Sequence, residues 1–396
     1  MRFIDSDIVI AGAGPAGCLA AMTAASKGVH VVLLEEHPEI GAPVHCAEAI
    51  STNGIKDAGL EPVKPIVSNE LPRAKVYAPN RTSVTLTSLN ETGYTLNRDI
   101  FDKTLGERAV KAGAELLTCT KAMSVLKKHG ENVGVKAEQN GELIEIRAKV
   151  VIGADGVSSV VRRSAGLSRW FTDVGSCAQY QLGGLRLDDP GTAEFYVGTK
   201  CSPGGYLWVL PKSEELANVG LGVRRINDEP AITYLNRFIN SDLRFKGAKV
   251  LRKSGGITPV SGMLDKIVDD RLMLIGDAAG QLLPMSGAGV HTSVSAGKIA
   301  GLVAAEAVEE GDFSAERLSV YRRLFEESWG KMICDSRRVV EMLDKFCDDD
   351  FNTLARVVTS EDVFNLVNGT DVKRTLAGIV KRSPVKILKL VAAYLL

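Results

Sequence analysis

Apolar residues in this chain fall into short blocks near the start and into strand-like alternation further on. Asp7 to Ala11 (DIVIA) is a short apolar strand. A glycine-rich turn follows, and then a helix to about Lys27, where Gly28 stops it. His30 to Leu34 (HVVLL) predicts a second strand, ending at Glu35 and Glu36. Residues 37–60 are loop-rich, with Pro38, Gly41, Pro43 and Gly54. From about 71 to 96, Thr, Val and Tyr recur as in antiparallel strands. Arg98 to Ala112 predicts an amphipathic helix. Strands resume from 114 to 152, with a hairpin turn at Gln139-Asn140-Gly141. Val150 to Ile152 leads into Gly153-Ala154-Asp155-Gly156 and a short helix. Residues 175–225 read again as strands, including Tyr206 to Pro211 and Ala217 to Val223. Leu272 to Ile275 is a buried strand ending at Gly276-Asp277. A small-residue helix runs from about Gly287 to Glu309, and 314–396 is mostly helical. Strand-rich pieces interrupt the pieces that look nucleotide-binding, so two domains are expected to be interleaved.

Composition narrows the classes. Lys plus Arg is 48 and Asp plus Glu is 48, so the net charge is zero. That excludes a global basic field for nucleic acid. A hydrophobic fraction of 45% excludes a disordered acidic chain. At ~150 residues per domain, 396 residues make two or three domains, enough to enclose a ligand. The 39 glycines exceed the usual ~7% and cluster in a few turns. Seven cysteines, an odd number with no CxxC pair, predict neither a disulfide framework nor a metal site. The N-terminus lacks a signal-peptide pattern, and no apolar run reaches the ~18 residues of a membrane span. The expected location is therefore the cytoplasm, with any membrane contact peripheral, on the inner face.

Gly12, Gly14 and Gly17 form a GxGxxG that leaves a strand and opens a helix. The first glycine permits the turn, the second lets backbone approach a pyrophosphate, and the third lets helix and strand pack closely. An anion then meets free N–H groups at the helix N-terminus. Glu35, 18 residues beyond Gly17, ends the second strand and is the candidate for ribose hydroxyls. Its neighbour Glu36 faces the other way. The motif alone does not separate FAD from NAD.

Two later segments do. GADGVSSVVRR (153–163) and LIGDAAGQLLPMSGAGV (274–290) stand in the order and spacing of the para-hydroxybenzoate-hydroxylase-like FAD proteins. Pro43-Val-His45-Cys46-Ala47-Glu48, Tyr94 to Arg98 with Phe101-Asp102, and GYLWVLP (205–211) followed by Gly220-Leu221-Gly222 resemble the geranylgeranyl reductase family, most closely its archaeal lipid-reducing members. The likeness spans nearly the whole chain and is clearest over 6–330. Leu210 stands where the family pattern usually has Phe, a change that keeps an apolar wall.

The resemblance implies an α/β fold with an α+β insert. A Rossmann-like FAD-binding domain (1–70, 97–172 and 260–312) is interleaved with an antiparallel-sheet substrate domain (71–96 and 173–259), and a helical C-terminal region (313–396) follows. It implies an FAD-dependent reductase that saturates C=C bonds of geranylgeranyl chains in archaeal ether phospholipid precursors such as digeranylgeranylglycerophospholipid. Position by position, Ala16 and Glu35 would meet the pyrophosphate and adenosine ribose. Cys46 and Ala47 would lie beside the flavin. Arg98 would reach the phosphate and ribityl region, and Ala122 would give backbone contacts near the adenine. Asp277 would hold the ribityl chain. Gly289 and Val290 would meet the isoalloxazine through backbone N–H groups. Tyr206 and Trp208 would line the isoprenoid pocket.

The residues themselves leave some of this open. Tyr206 and Trp208 are two apart and share a strand face, which suits an aromatic wall or plain core packing. Cys46 is either a small thiol near the reacting alkene or an inert buried cysteine. An isolated alkene offers no carbonyl to polarise, so an acid must be placed near it. Cys46, Tyr206 and an ordered water are the candidates. His45 fits a surface loop as well as an acid, and His291 fits packing as well as cofactor contact. The electron donor is NAD(P)H or another low-potential carrier. A monomer or weak oligomer is expected. Residues 371–396 carry six basic residues against one acidic, and the end reads PVKILKLVAAYLL. That is a basic amphipathic segment, suited to an anionic membrane or to docking on the protein. The competing function is a flavin monooxygenase or halogenase acting on an aromatic substrate, since Y-x-W-x-L-P is similar to a halogenase tryptophan motif.

Overall fold

The protein is described here by a computed structural model covering residues 2–87, 91–168, 170–224 and 229–382. Strand Arg2–Ala11 lies inside an eight-stranded sheet. Val31–Leu34 pairs parallel on one side of it and Glu142–Gly153 parallel on the other. Glu115–Leu117 extends one edge in parallel, and Leu272–Leu274 joins the end of Glu142–Gly153. The first half of Glu142–Gly153 pairs antiparallel with Glu131–Gln139, which pairs with Thr120–Lys128. Ile8 to Ala11 and Val31 to Leu34 are all buried, as continuous apolar runs in a parallel sheet should be. The expected hairpin turn at 139–141 is present, with Asn140 and Gly141 both at positive φ.

Helix Pro15–Ala25 packs against helix Val290–Glu310. A Cβ on Gly297 would lie 2.3 Å from the Ala16 carbonyl oxygen, and one on Gly301 would lie 2.4 Å from that of Ala20. The small residues of the later helix therefore set how closely it crosses the first. That helix starts at Val290, three residues after the predicted Gly287, because Gly287 and Gly289 are spent in the preceding loop.

A second sheet has seven strands, in the order Lys249–Pro259, Val174–Gly183, Leu216–Val223, Tyr206–Pro211, Thr192–Val197, Arg73–Tyr77, Ser83–Thr87. All its pairings are antiparallel except Thr192–Val197 with Arg73–Tyr77. Alternation sorts its faces. Leu207, Val209, Val219 and Leu221 pack under helix Ala231–Ser241, an element the sequence reading did not predict. Trp208 and Leu210 face the other way, with Phe195 and Tyr206 beside them.

Residues 71–96 do not form one group of strands. Val67–Leu71 and Gly93–Leu96 join Ala49–Ser51 in a separate three-stranded sheet. The loop-rich stretch 37–60 holds that strand and helix Thr52–Asp57, whose first turn is capped by the Ser51 side chain. Helices Lys331–Leu343, Ser360–Asn368 and Val372–Arg382 share an apolar core of Val339, Met342, Leu366, Leu376 and Ile379. Within 371–382 the basic segment is thus a docked helix with Lys373 and Arg374 in solvent. The PVKILKLVAAYLL segment lies outside the described residues. Among the described residues no helix is long and apolar enough to cross a membrane.

Candidate active site

The three glycines after the first strand serve different ends. Gly12 has φ +99°, and a Cβ there would lie 2.5 Å from the Ala154 carbonyl oxygen. One on Gly17 would lie 1.9 Å from the Gly12 carbonyl oxygen. Both positions are imposed by packing of strand, turn and helix. Gly14, the residue before helix Pro15–Ala25, is different: a Cβ there would meet nothing within 4 Å. It is where a ligand can approach the helix N-terminus. Glu35 is turned into this turn. Its carboxylate accepts from the Ala13 amide at 3.2 Å and the His37 amide at 2.9 Å, and lies 2.7 Å from the His37 ring. Glu36 points away and pairs with Lys121 at 2.9 Å on the surface.

The 276–290 loop approaches the same turn. A Cβ on Gly276 would lie 3.1 Å from the Ala16 Cβ. Its amide donates to Gln281 Oε1 at 2.8 Å, and Gln281 Nε2 donates to the buried Tyr321 hydroxyl at 2.7 Å. Asp277 stands beside Gly289, where a Cβ would lie 3.2 Å from its Oδ1. The Asp277 carboxyl has no hydrogen-bond or ion-pair partner among the described residues. Burial pushes it up to about 6, against the opposing pull of Arg98.

Arg98 opens helix Arg98–Lys111 and forks onto Asp102, with Nε and Nη2 at 2.9 and 2.7 Å from its two oxygens. Burial lowers the Arg98 pKa, but Asp102 and the adjacent Cys46 sulfur more than offset it, so the net shift is upward and the charge is held. Arg98 therefore links Cys46 and Asp277, which are 231 positions apart, into one site.

The aromatic wall follows from the Tyr206–Pro211 strand. Tyr206 and Trp208 meet edge to face, 5.8 Å between centroids, and Phe195 meets Tyr206 at the same separation. Trp208 is buried. Its Nε1 donates to Gln179 Oε1 at 2.8 Å, and Gln179 Nε2 donates to the Cys46 carbonyl at 2.8 Å. Its indole lies over Gly220, where a Cβ would come within 2.6 Å of the ring. Leu210, at the position where Phe was expected, is buried in the same cluster. The Tyr206 hydroxyl donates to the Ser286 carbonyl in the 276–290 loop. Burial, with Cys177 and Cys46 nearby, raises the Tyr206 pKa. Its proton is thus committed to the loop.

Beneath Cys46 and Ala47 lies a polar cluster that the sequence reading missed. Glu48, 1% exposed and at φ +73°, accepts from Lys212 Nζ (2.9 Å), Asn218 Nδ2 (2.6 Å), Arg252 Nη2 (2.9 Å) and the Arg98 amide (3.0 Å). Lys212 also donates to the Leu96 carbonyl at 2.6 Å, and Asn218 to that of Ala47 at 3.2 Å. Desolvation works to raise the Glu48 pKa, but Lys212 and these donors prevail and hold it below the ordinary range. A local signal existed: Lys212 directly follows an apolar strand, and Glu48 directly follows Cys46-Ala47. Nothing in the spacing pairs them.

Comparison with known proteins is decisive at this point. The chain is 39% identical over 390 residues to digeranylgeranylglycerophospholipid reductase 2 of Methanopyrus kandleri, covering 96% of this chain and 97% of that one. It is 40% identical over 385 residues to the corresponding reductase of Methanothrix thermoacetophila, with 96% of each covered. The chain belongs to the digeranylgeranylglycerophospholipid reductase family. The geranylgeranyl reductase catalytic domain matches residues 173–258, and the FAD dependent oxidoreductase family matches 7–184. Among solved structures, a geranylgeranyl bacteriochlorophyll reductase-like protein of Thermoplasma acidophilum superposes with TM-score 0.89 at 33% identity, covering 98% of this chain and 99% of that one. A flavin-dependent brominase superposes with TM-score 0.71 at 20% identity, covering 98% and 97%, and shares the fold alone.

The cofactor of this reductase family is FAD, and the residues present fit it. Gly14 leaves the helix N-terminus approachable, Glu35 closes the same turn, and the unpartnered Asp277 carboxyl offers an acceptor for hydroxyls. Gly289 precedes helix Val290–Glu310, so its end is free of a side chain. The other expected residues are less close to this centre. Ala122 lies on the Thr120–Lys128 hairpin, opposite Ala137. His45 is exposed, its Nδ1 2.8 Å from the Gly255 carbonyl. His291 pairs with Asp57 at 2.6 Å and packs against Trp329, so packing accounts for it. Asp155, in the GADG turn, caps its own short helix: it accepts from Ser159 Oγ at 2.5 Å and the Val160 and Val161 amides at 2.7 and 3.0 Å.

Proposed function

We propose that this protein saturates isolated C=C bonds of geranylgeranyl chains in archaeal ether phospholipid precursors. The observation that carries the reading is the full-length match to digeranylgeranylglycerophospholipid reductases, joined to a site in which an apolar aromatic cluster packs against Ala47, the residue after Cys46. Bound FAD supplies the reducing equivalents. Gly14 with Ala16 accommodates the pyrophosphate at the helix end, in a turn that Gly12 and Gly17 let close. Glu35 takes the adenosine ribose, Arg98 and Asp277 hold the phosphate–ribityl stretch, and Ala122 lies toward the adenine. Ala47, Gly289 and Val290 border the ring.

The chain's own part in the reaction is to exclude water, press the alkene into place and move one proton. We assign the proton to Cys46. Its sulfur accepts the Glu48 amide at 3.2 Å and sits beside Arg98, whereas the Tyr206 hydroxyl is committed to Ser286. Tyr206 walls the alkene. Trp208 is a positioning residue: through Gln179 it fixes the carbonyl of Cys46. The FAD-binding part comprises 1–70, 97–172 and 260–312, and the substrate part 71–96 and 173–259. NAD(P)H or another low-potential carrier reduces the enzyme, which works in the cytoplasm against the inner face of the membrane.

The test is anaerobic. Chemically reduced protein mixed with a digeranylgeranyl ether phospholipid should yield lipid heavier by two hydrogens per bond saturated, read by mass spectrometry. No saturation without oxygen, with a new product only in air, would sink the reading in favour of a monooxygenase or halogenase. Cys46→Ala should lower turnover at least ~100-fold while flavin content stays at the wild-type level. Unchanged turnover would remove Cys46 from the proton step.

A further inference from the structure

Strand Lys249–Pro259 is an outer strand of the seven-stranded sheet, paired on one side only, with Val174–Gly183. Exposed sheet edges are ordinarily blunted with charge and kept free of large apolar side chains. This one has charge and large apolar side chains together. Leu243, in the turn that leads to it, is 84% exposed, Leu251 60%, Ile257 51% and Val250 45%. Between 243 and 257 there are five basic residues and no acidic one. Two of the five are satisfied within the fold: Arg244 by Glu194 and Asp242, and Arg252 by Glu48. Lys253 lies over the Tyr180 ring. Lys246 and Lys249 have no ion-pair partner among the described residues.

Exposed Leu, Val and Ile beside uncompensated ammonium groups match one kind of surface. Apolar side chains enter the boundary between headgroups and acyl chains, and lysines meet lipid phosphates. The same strand then runs inward to the site. The Gly255 carbonyl is 2.8 Å from the His45 ring, and the Ser254 hydroxyl takes a 3.4 Å contact from Gln179, which holds Cys46. The exposed end of the strand is thus a few residues from the reactive loop.

We propose that the 243–257 edge docks the protein on an anionic bilayer, so that a membrane-resident chain can pass from lipid to the Cys46 side of the sheet. The identity of the substrate rests on the reductase reading; the docking surface itself rests on the exposed residues. The full chain carrying its flavin should co-sediment with phosphatidylcholine vesicles containing about 30% phosphatidylglycerol and far less with phosphatidylcholine alone. Leu243→Ser with Leu251→Ser, and separately Lys246→Glu with Lys249→Glu, should each weaken that binding at least about tenfold. Flavin content and saturation of detergent-dispersed lipid should be unchanged in both. Lys246→Gln with Lys249→Gln provides a milder pair should either variant lose flavin. Wild-type protein that ignores anionic vesicles, or variants that sediment like wild type, would overturn the proposal. So would a wild-type dimer that the Leu variants dissociate, since the edge would then be a subunit interface. If wild-type protein fails on detergent-dispersed lipid while vesicle binding still depends on these residues, the reductase reading falls and the docking surface stands.

Discussion

Glu48 is a buried carboxylate and Asp277 a half-buried one beside the same site, and their surroundings could hardly differ more. Glu48 is enclosed by Lys212, Arg252, Asn218 and a backbone amide, and its pKa is held down. Asp277 has none of these and is pushed up to about 6. A charge drawn partly out of water without a partner costs free energy, which marks its surroundings as a candidate binding site. Glu48 is completed by the chain itself and fixes the 46–48 loop. Asp277 has no such partner among the described residues and stands open as a candidate binding group. The contrast separates a scaffold carboxylate from a candidate binding group without reference to any relative.

The largest effect should come from breaking the closed cluster. Glu48→Ala leaves Lys212 buried without its carboxylate and should cost about 3–5 kcal/mol, read from the denaturant midpoint. The stability contributed by Glu48 is present above the ordinary carboxylate range and is lost as pH falls below it, because its folded-state pKa is lowered. Asp277→Asn should do the reverse to the flavin-free protein. The folded-state pKa of Asp277 is raised, so its contribution destabilises as pH rises from about 4 to about 6. Removing the charge should recover about 1–2 kcal/mol at pH 7, less than the full shift because solvent reaches part of the carboxylate, and nothing below pH 4. The same variant should lose FAD affinity about tenfold to a hundredfold, by fluorescence titration. If Asp277→Asn destabilises the flavin-free protein at pH 7, the two carboxylates are alike and the comparison fails. Trp208→Phe should cost about 1–2 kcal/mol, because it strands Gln179 Oε1, and should lower turnover more than flavin binding. Lys121→Ala, which only frees exposed Glu36, should stay under about 1 kcal/mol in the same denaturation assay.

The residues legible beforehand share one property: their roles are set by neighbours close in the chain. Gly12, Gly14 and Gly17 act within one turn. Glu35 is recognisable because it ends a strand at a fixed distance from that turn. Tyr206 and Trp208 share a face by strand periodicity. Helix Thr52–Asp57 escapes the sequence reading because six residues carry little periodicity among loop signals, and helix Ala231–Ser241 because it sits between two strand patterns without a marking motif. The role of Trp208 was legible only in part. The sheet face it shares with Tyr206 follows from alternation, but its bond to Gln179 joins residues 29 positions apart on different strands.

The sequence by itself determined the nucleotide-binding turn, the acid that follows it, the interleaving of two kinds of sheet, and the family. These are encoded in local spacing, and local spacing constrains backbone geometry directly. Only the tertiary structure decided that Glu48, Lys212, Asn218 and Arg252, spread over 204 positions, close on one another while Asp277 stays open. Whether a buried charge is satisfied depends on which distant donors the fold brings within about 3 Å of it, and no linear pattern carries that distance.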